Sequence, residues 1–129
     1  DGPTIGAIGL GDGRAQLLLS GEAARAAMPA SVPASWSTLD AALLQYIVLE
    51  PMLGIDGAAR AQGEAVTYTH DAELAHQLVA NGSASVAFFL NPPSLEEIFA
   101  SADAGDRMPQ KSTYFTPKLP TGLVMHCFR

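Results

Sequence analysis

Lysine occurs twice and cysteine once in these 129 residues, and those scarcities bound what the chain can do. Seven basic side chains face thirteen acidic ones, giving a net charge of -6 and a pI near 4.8. Affinity for nucleic acid comes mostly from clustered Lys and Arg that neutralise phosphates, so nucleic acid is not expected as a partner. Cys127 has no second thiol to pair with, which excludes an internal disulfide and leaves a cysteine-based metal centre without its ligands. A reducing, cytoplasmic setting fits that usage. No apolar run approaches the ~20 residues that span a bilayer, so a soluble chain without a membrane partner is expected. Internal repeats and low-complexity tracts are missing too.

What is present is globular. Apolar residues make up 48% of the chain and charged residues 16%, a balance that supports a packed core. A chain of this length buries roughly two-thirds of its unfolded surface as one compact unit, so residues 1–129 read as a single domain. The chain begins at Asp1 and enters a strand-like segment almost at once, which suggests a piece of a longer protein.

Two apolar runs, Ile5 to Leu10 and Arg14 to Ser20, flank Gly11-Asp12-Gly13 and predict a hairpin. A short helical piece around Glu22 to Ala27 follows, then a loop enforced by Pro29 and Pro33. Leu39, Leu43, Tyr46 and Ile47 recur on one face of a helix that Ser37 or Thr38 caps and that Pro51 and Gly54 end. Val66 to Thr69 predicts a strand leading through His70-Asp71 into a helix carrying Ala72, Ala75, Leu78 and Val79, with Asn81-Gly82 as its stop. Ser85 to Leu90 predicts a central strand covered on both faces, broken by Asn91-Pro92-Pro93. Ser94-Leu95-Glu96-Glu97 is a capping box opening a helix with a buried stripe of Leu95, Ile98, Phe99 and Ala102, and Gly122 to Phe128 predicts a last strand. The expected fold is α+β, or α/β, with one mixed sheet of about five strands and about three helices packed on it.

The chemistry concentrates in the segment between Gly105 and Pro120, where apolar periodicity disappears. Both lysines, Lys111 and Lys118, lie there with Arg107, Ser112, Thr113, Tyr114 and Thr116, between Pro109, Pro117 and Pro120. Cations beside hydroxyl donors suit a phosphate or carboxylate, and prolines lower the entropy cost of holding them in place. The other readings are two solvated lysines that aid solubility, or a structural pairing of Asp103 and Asp106 with Arg107 or Lys111. The run is not a phosphate-binding P-loop, because Gln110 stands where a glycine is required and Pro109 removes a backbone donor.

His70-Asp71, at the expected carboxyl end of a strand, offers an acid or base with an orienting carboxylate, unless Asp71 simply caps the next helix. Asn91 ends the other buried strand and can aim its amide into the same cleft, or serve only as a turn former before proline. His76 reads as an exposed helix position and His126 as a sheet-edge residue. With no matching acid or thiol spacing, no metal site is expected within the chain.

The runs Tyr68-Thr69-His70-Asp71, Ala87-Phe88-Phe89-Leu90-Asn91-Pro92 and Leu49-Glu50-Pro51-Met52-Leu53-Gly54-Ile55, and above all the stretch from Arg107 through Lys118 to Leu123, resemble the C-terminal part of the domain of unknown function 1015 family. Gln110 and Thr116 depart from that pattern, and neither departure removes a charged group. The resemblance implies a cytoplasmic bacterial or archaeal protein with further domains beyond this chain. It also implies a small phosphorylated metabolite, with phosphoserine the first candidate. An enzyme releasing or transferring phosphate would use Arg107, Lys111 and Lys118 to neutralise the anion, Ser112, Thr113 and Tyr114 to hold it, and His70 with Asp71 as acid or base. A magnesium ion would be held by carboxylates of the longer parent. The alternative is a non-catalytic domain whose loop docks on the missing N-terminal portion or on a second copy.

Overall fold

The computed structural model describes residues 4–11, 13–18, 21–63, 65–109 and Ser112. The chain opens with the expected hairpin, β1 (Thr4–Ile8) and β2 (Arg14–Leu18), paired antiparallel with Thr4 opposite Leu18 and Ile8 opposite Arg14. Period-2 alternation turns Ile5 and Ala7 of β1 into the interior, and both are buried. Helix α1 (Gly21–Ala27) follows and buries Ala24.

A 3-10 turn (Ala34–Thr38) leads into a continuous helical run made of α2 (Asp40–Leu43), a π stretch (Leu44–Leu49) and α3 (Glu50–Leu53). Leu39, in extended conformation, occupies the N-cap position expected for Ser37 or Thr38, because the 3-10 turn has already taken those two residues. The helix does not stop at Pro51. Proline has no N–H for a carbonyl one turn back and its ring crowds that carbonyl, and the wider π ladder just before it lets the helix continue. Gly54, at φ 66, ends the run as expected, since a left-handed residue there favours glycine.

Helix α4 (Gly57–Gln62) is capped by Asp56, whose carboxylate accepts from the Ala59 N–H at 2.8 Å. Helix α5 (Ala72–Ala80), strand β3 (Ala87–Phe89) and helix α6 (Leu95–Asp103) complete the described elements. The core is built where β1, α1 and the long helical run meet. Ile5, Ala24, Leu43, Leu44, Val48 and Leu49 form one cluster, with Met28, Ile47, Ile55 and Phe88 against it.

The expected mixed sheet of about five strands is not what these residues form. The described sheet is a hairpin extended by the three-residue β3, in the order β2-β1-β3, and both pairings are antiparallel. The α+β content therefore comes with few strands and more helical segments than foreseen, and nothing described supports an α/β arrangement. Val66 to Thr69 forms no ladder with any described strand. It carries alternating side chains, but Thr67, Tyr68 and Thr69 are all exposed, so no apolar face is buried to hold it in register. Ser85 to Leu90 shrinks to Ala87–Phe89 at the side of β1, half-buried instead of covered on both faces. The expected last strand, Gly122 to Phe128, lies outside the described residues. No described helix is long and apolar enough to cross a membrane.

Helix α6 also departs from expectation. The capping box forms in full: the Glu97 N–H donates to Ser94 Oγ at 3.2 Å and the Ser94 N–H returns to Glu97 Oε2 at 2.8 Å. Yet Leu95 and Phe99, expected in the buried stripe, are 63% and 61% exposed, whereas Ser101 is 1% exposed. Helix α6 contacts the 3-10 turn and buries Ser101, while of the expected stripe Ile98 is half-buried and Leu95, Phe99 and Ala102 face outward.

Candidate functional site

Segment 105–109 leaves α6 through Gly105, at φ 73, and is fixed to the 3-10 turn by two side-chain hydrogen bonds. Ser35 Oγ donates to Asp106 Oδ2 at 2.7 Å, and Trp36 Nε1 donates to the Arg107 carbonyl at 2.8 Å. The Asp106 N–H closes back on the Ser101 carbonyl at 2.9 Å, and Pro109 is buried. The backbone entering the loop is thus anchored to a turn 71 residues earlier in the chain. Asp106 accepts from Ser35 and makes no ion pair with Arg107, while a pairing with Lys111 falls outside the described residues. The Arg107 side chain stays exposed, with no carboxylate partner within 4.0 Å among the described residues. Ser112 folds over Pro109: its N–H and its Oγ both donate to the Pro109 carbonyl, at 3.2 and 2.6 Å. Its hydroxyl oxygen can still accept, but its proton is committed to that turn.

Lys111, Thr113, Tyr114 and Lys118, and with them Gln110, Phe115, Thr116, Cys127 and His126, lie outside the described residues.

Asp71 is the N-cap of α5. Its Oδ1 accepts from the Glu73 and Leu74 N–H groups at 2.9 and 3.2 Å, while its own N–H donates to Thr69 Oγ1 at 3.0 Å. Of the two readings open for this carboxylate, geometry supplies the capping one. His70 is exposed beside it on a segment that is not a strand, so the strand-end argument for its placement no longer applies. Asn91 is the turn residue after β3, and its amide is engaged. Nδ2 donates to Asp40 Oδ2 at 2.9 Å and to the Thr4 carbonyl at 3.0 Å, tying the start of β1, the start of α2 and the end of β3 together. The described candidates therefore sit in three parts of the fold: His70 and Asp71 before α5, Asn91 after β3, and Arg107 with Ser112 beyond α6.

Among the hollows on the described surface are two near these elements. One, about 390 Å³, is lined by Ile8, Gly9, Gly11, Gly13, His76, Val79 and Ala80, with no Asp, Glu, Lys or Arg among the described lining residues. The smaller, about 240 Å³, lies between α1 and the 3-10 turn and includes Arg25. The remaining described guanidinium, Arg60, reaches Glu50 Oε1 at 3.9 Å, and Gln45 Nε2 donates to the same oxygen at 2.9 Å. Among the described residues, no group of three or more His, Cys, Asp and Glu side chains is placed to hold a metal ion.

Sequence reasoning did not single out Ser35 and Trp36, which position the loop entry, or Arg25. A lone tryptophan before a helix carries no signal of its partner, because the contact spans most of the chain. No protein-family model matches the chain, and neither a curated protein nor a solved structure matches it.

Proposed function

We propose that the segment from Arg107 to Lys118 handles a small phosphorylated or carboxylate metabolite within a longer, cytoplasmic prokaryotic protein of the domain of unknown function 1015 type. The observation that carries this reading is the double anchor of the loop entry: Ser35 on Asp106 and Trp36 on the Arg107 carbonyl, with the Arg107 guanidinium left exposed and unpaired among the described residues. A cation on a backbone fixed at its base loses little entropy when it meets an anion. Lys111 and Lys118 would add charge, and Ser112, Thr113 and Tyr114 hydrogen bonds. Phosphate release or transfer, with a phosphoserine-like substrate as first candidate, would need a magnesium site from the parent's other part and an acid or base such as His70. Asp71 and Asn91 take structural parts in this reading, as cap and clamp.

The test is phosphate release or transfer by the parent protein across a panel of small phosphometabolites including phosphoserine, with and without Mg²⁺, beside Lys111→Ala. Selective activity that falls ~10²-fold or more in the variant supports the reading. Activity unchanged by the substitution would remove the loop from the site.

A second reading, a non-catalytic module that docks on the rest of the parent or on a second copy, is favoured by the exposed apolar pair Leu95 and Phe99, one turn apart on α6. It predicts that Lys111→Ala lowers assembly or stability and leaves anion affinity unchanged, read by sizing and melting.

A further inference from the structure

We infer that the groove between α1 and the 3-10 turn is a binding site for a small carboxylate with a short apolar tail, its charge met by Arg25. The site stands apart from the loop beyond α6 and does not depend on how that loop is read.

The groove is lined by Arg25, Met28, Pro29, Val32, Pro33 and Ser37, with alanines filling the remainder. Its walls are mostly apolar, and among the described residues its only charged lining side chain is a guanidinium and no acidic one contributes. Among the described residues Arg25 has no carboxylate within 4.0 Å, although the protein carries a net charge of -6. A carboxylate is the complementary headgroup, since a guanidinium presents a planar fork of donors that an ammonium or a neutral ligand does not match. Ser37 Oγ donates to the Ala34 carbonyl at 2.8 Å, so its proton is committed and Arg25 supplies the charged contact.

The shape is set before any ligand arrives. Three successive turns hold the wall: Met28 N–H to the Arg25 carbonyl at 3.3 Å, Val32 N–H to the Pro29 carbonyl at 3.0 Å and Trp36 N–H to the Pro33 carbonyl at 3.0 Å. Pro29 and Pro33 fix φ at two of the bends, so little backbone entropy is left to lose on binding. Met28 packs on the core from beneath, and an unbranched thioether adapts to an irregular tail. A volume of about 240 Å³ lies below the roughly 300–1,000 Å³ of drug-sized clefts, which limits the occupant to a small molecule.

The experiment is a titration of the full chain with hexanoate, followed residue by residue through backbone amide NMR shifts. Acetate, hexylamine and phosphoserine serve as parallel probes, and Arg25→Gln is compared with the parent. Saturable shifts centred on Met28, Ala30, Val32, Ala34 and Ser37 are expected, with hexanoate bound about tenfold or more tighter than acetate, which lacks the tail, and than hexylamine, which reverses the charge. Arg25→Gln weakens hexanoate by about tenfold while its melting curve matches the parent's, because Arg25 is exposed and outside the core. No saturable shift, equal binding by the variant, or shifts centred on Arg107 and Ser112 would each overturn the inference. Phosphoserine, which lacks the apolar tail, should shift the groove residues far more weakly than hexanoate, and equal binding there would overturn the inference.

Discussion

Asn91 donates twice to a single carboxylate oxygen of Asp40, from its backbone N–H and from its side-chain amide, each at 2.9 Å. The same amide nitrogen reaches the Thr4 carbonyl at 3.0 Å. One short side chain thus joins three elements that the sequence separates widely. Asn91→Ala removes both side-chain bonds and keeps the backbone one, and is expected to cost about 1–2 kcal/mol in urea denaturation, with Asp40→Ala similar. The double variant should cost less than the sum, because the two share the interaction. Additive costs would show that the clamp contributes nothing as a unit.

Asp71 separates capping from catalysis. Asp71→Ala leaves the Glu73 and Leu74 N–H groups of the first turn of α5 without their acceptor and should destabilise the protein by about 1 kcal/mol. Asp71→Ser keeps a capping oxygen without the charge and should be near neutral in the same melt. If Asp71→Ser preserved stability but abolished phosphate release by the parent, the carboxylate would have to be returned to the reacting site.

Local signals survived into the fold wherever they were self-contained. The β1–β2 hairpin, the Ser94–Glu97 capping box and the Gly54 helix stop each depend on a few neighbouring residues, and each formed where the sequence placed it. Misreadings arose where a distant partner decides. Val66 to Thr69 has strand-like alternation but no described strand beside it, and the apolar periodicity of α6 does not reveal that the helix buries Ser101 and exposes Leu95 and Phe99. Pro51 was legible as a helix breaker, but the π register that bypasses it depends on packing of Leu44, Val48 and Leu49 in the core. At the candidate site the residue types were legible and their bonds were not: Trp36 to Arg107 and Asn91 to Asp40 span 71 and 51 residues.

Ser101 is buried, and its Oγ has no hydrogen-bond partner among the described residues. An unsatisfied buried hydroxyl costs free energy that a methyl does not, so Ser101→Ala should be neutral or stabilise by up to about 1 kcal/mol. A loss of more than about 1 kcal/mol on chemical denaturation would mean that the hydroxyl has a partner in the folded protein. Leu43→Ala, in the same experiment, should cost about 2–5 kcal/mol, since that side chain is fully buried in the central cluster.

Gly9 and Gly11 share a positive φ, 91 and 70, but differ in what surrounds them. A Cβ at Gly9 would collide with the Ser85 carbonyl oxygen and lie 3.1 Å from both Val79 Cγ1 and Val86 Cα, whereas a Cβ at Gly11 meets nothing within 4 Å. Backbone strain alone gives Gly11→Ala a cost of about 1–2 kcal/mol. At Gly9 the collision is with backbone, which cannot swing aside as a flexible side chain would, so the β1 end and the segment before β3 must separate. Gly9→Ala is therefore expected to cost roughly 2–5 kcal/mol and to speed amide exchange in β3 as well as in the hairpin. Equal costs at the two positions would mean that the close approach of Gly9 to Ser85 is not a feature of the folded protein, and that β3 is held to β1 by its ladder alone.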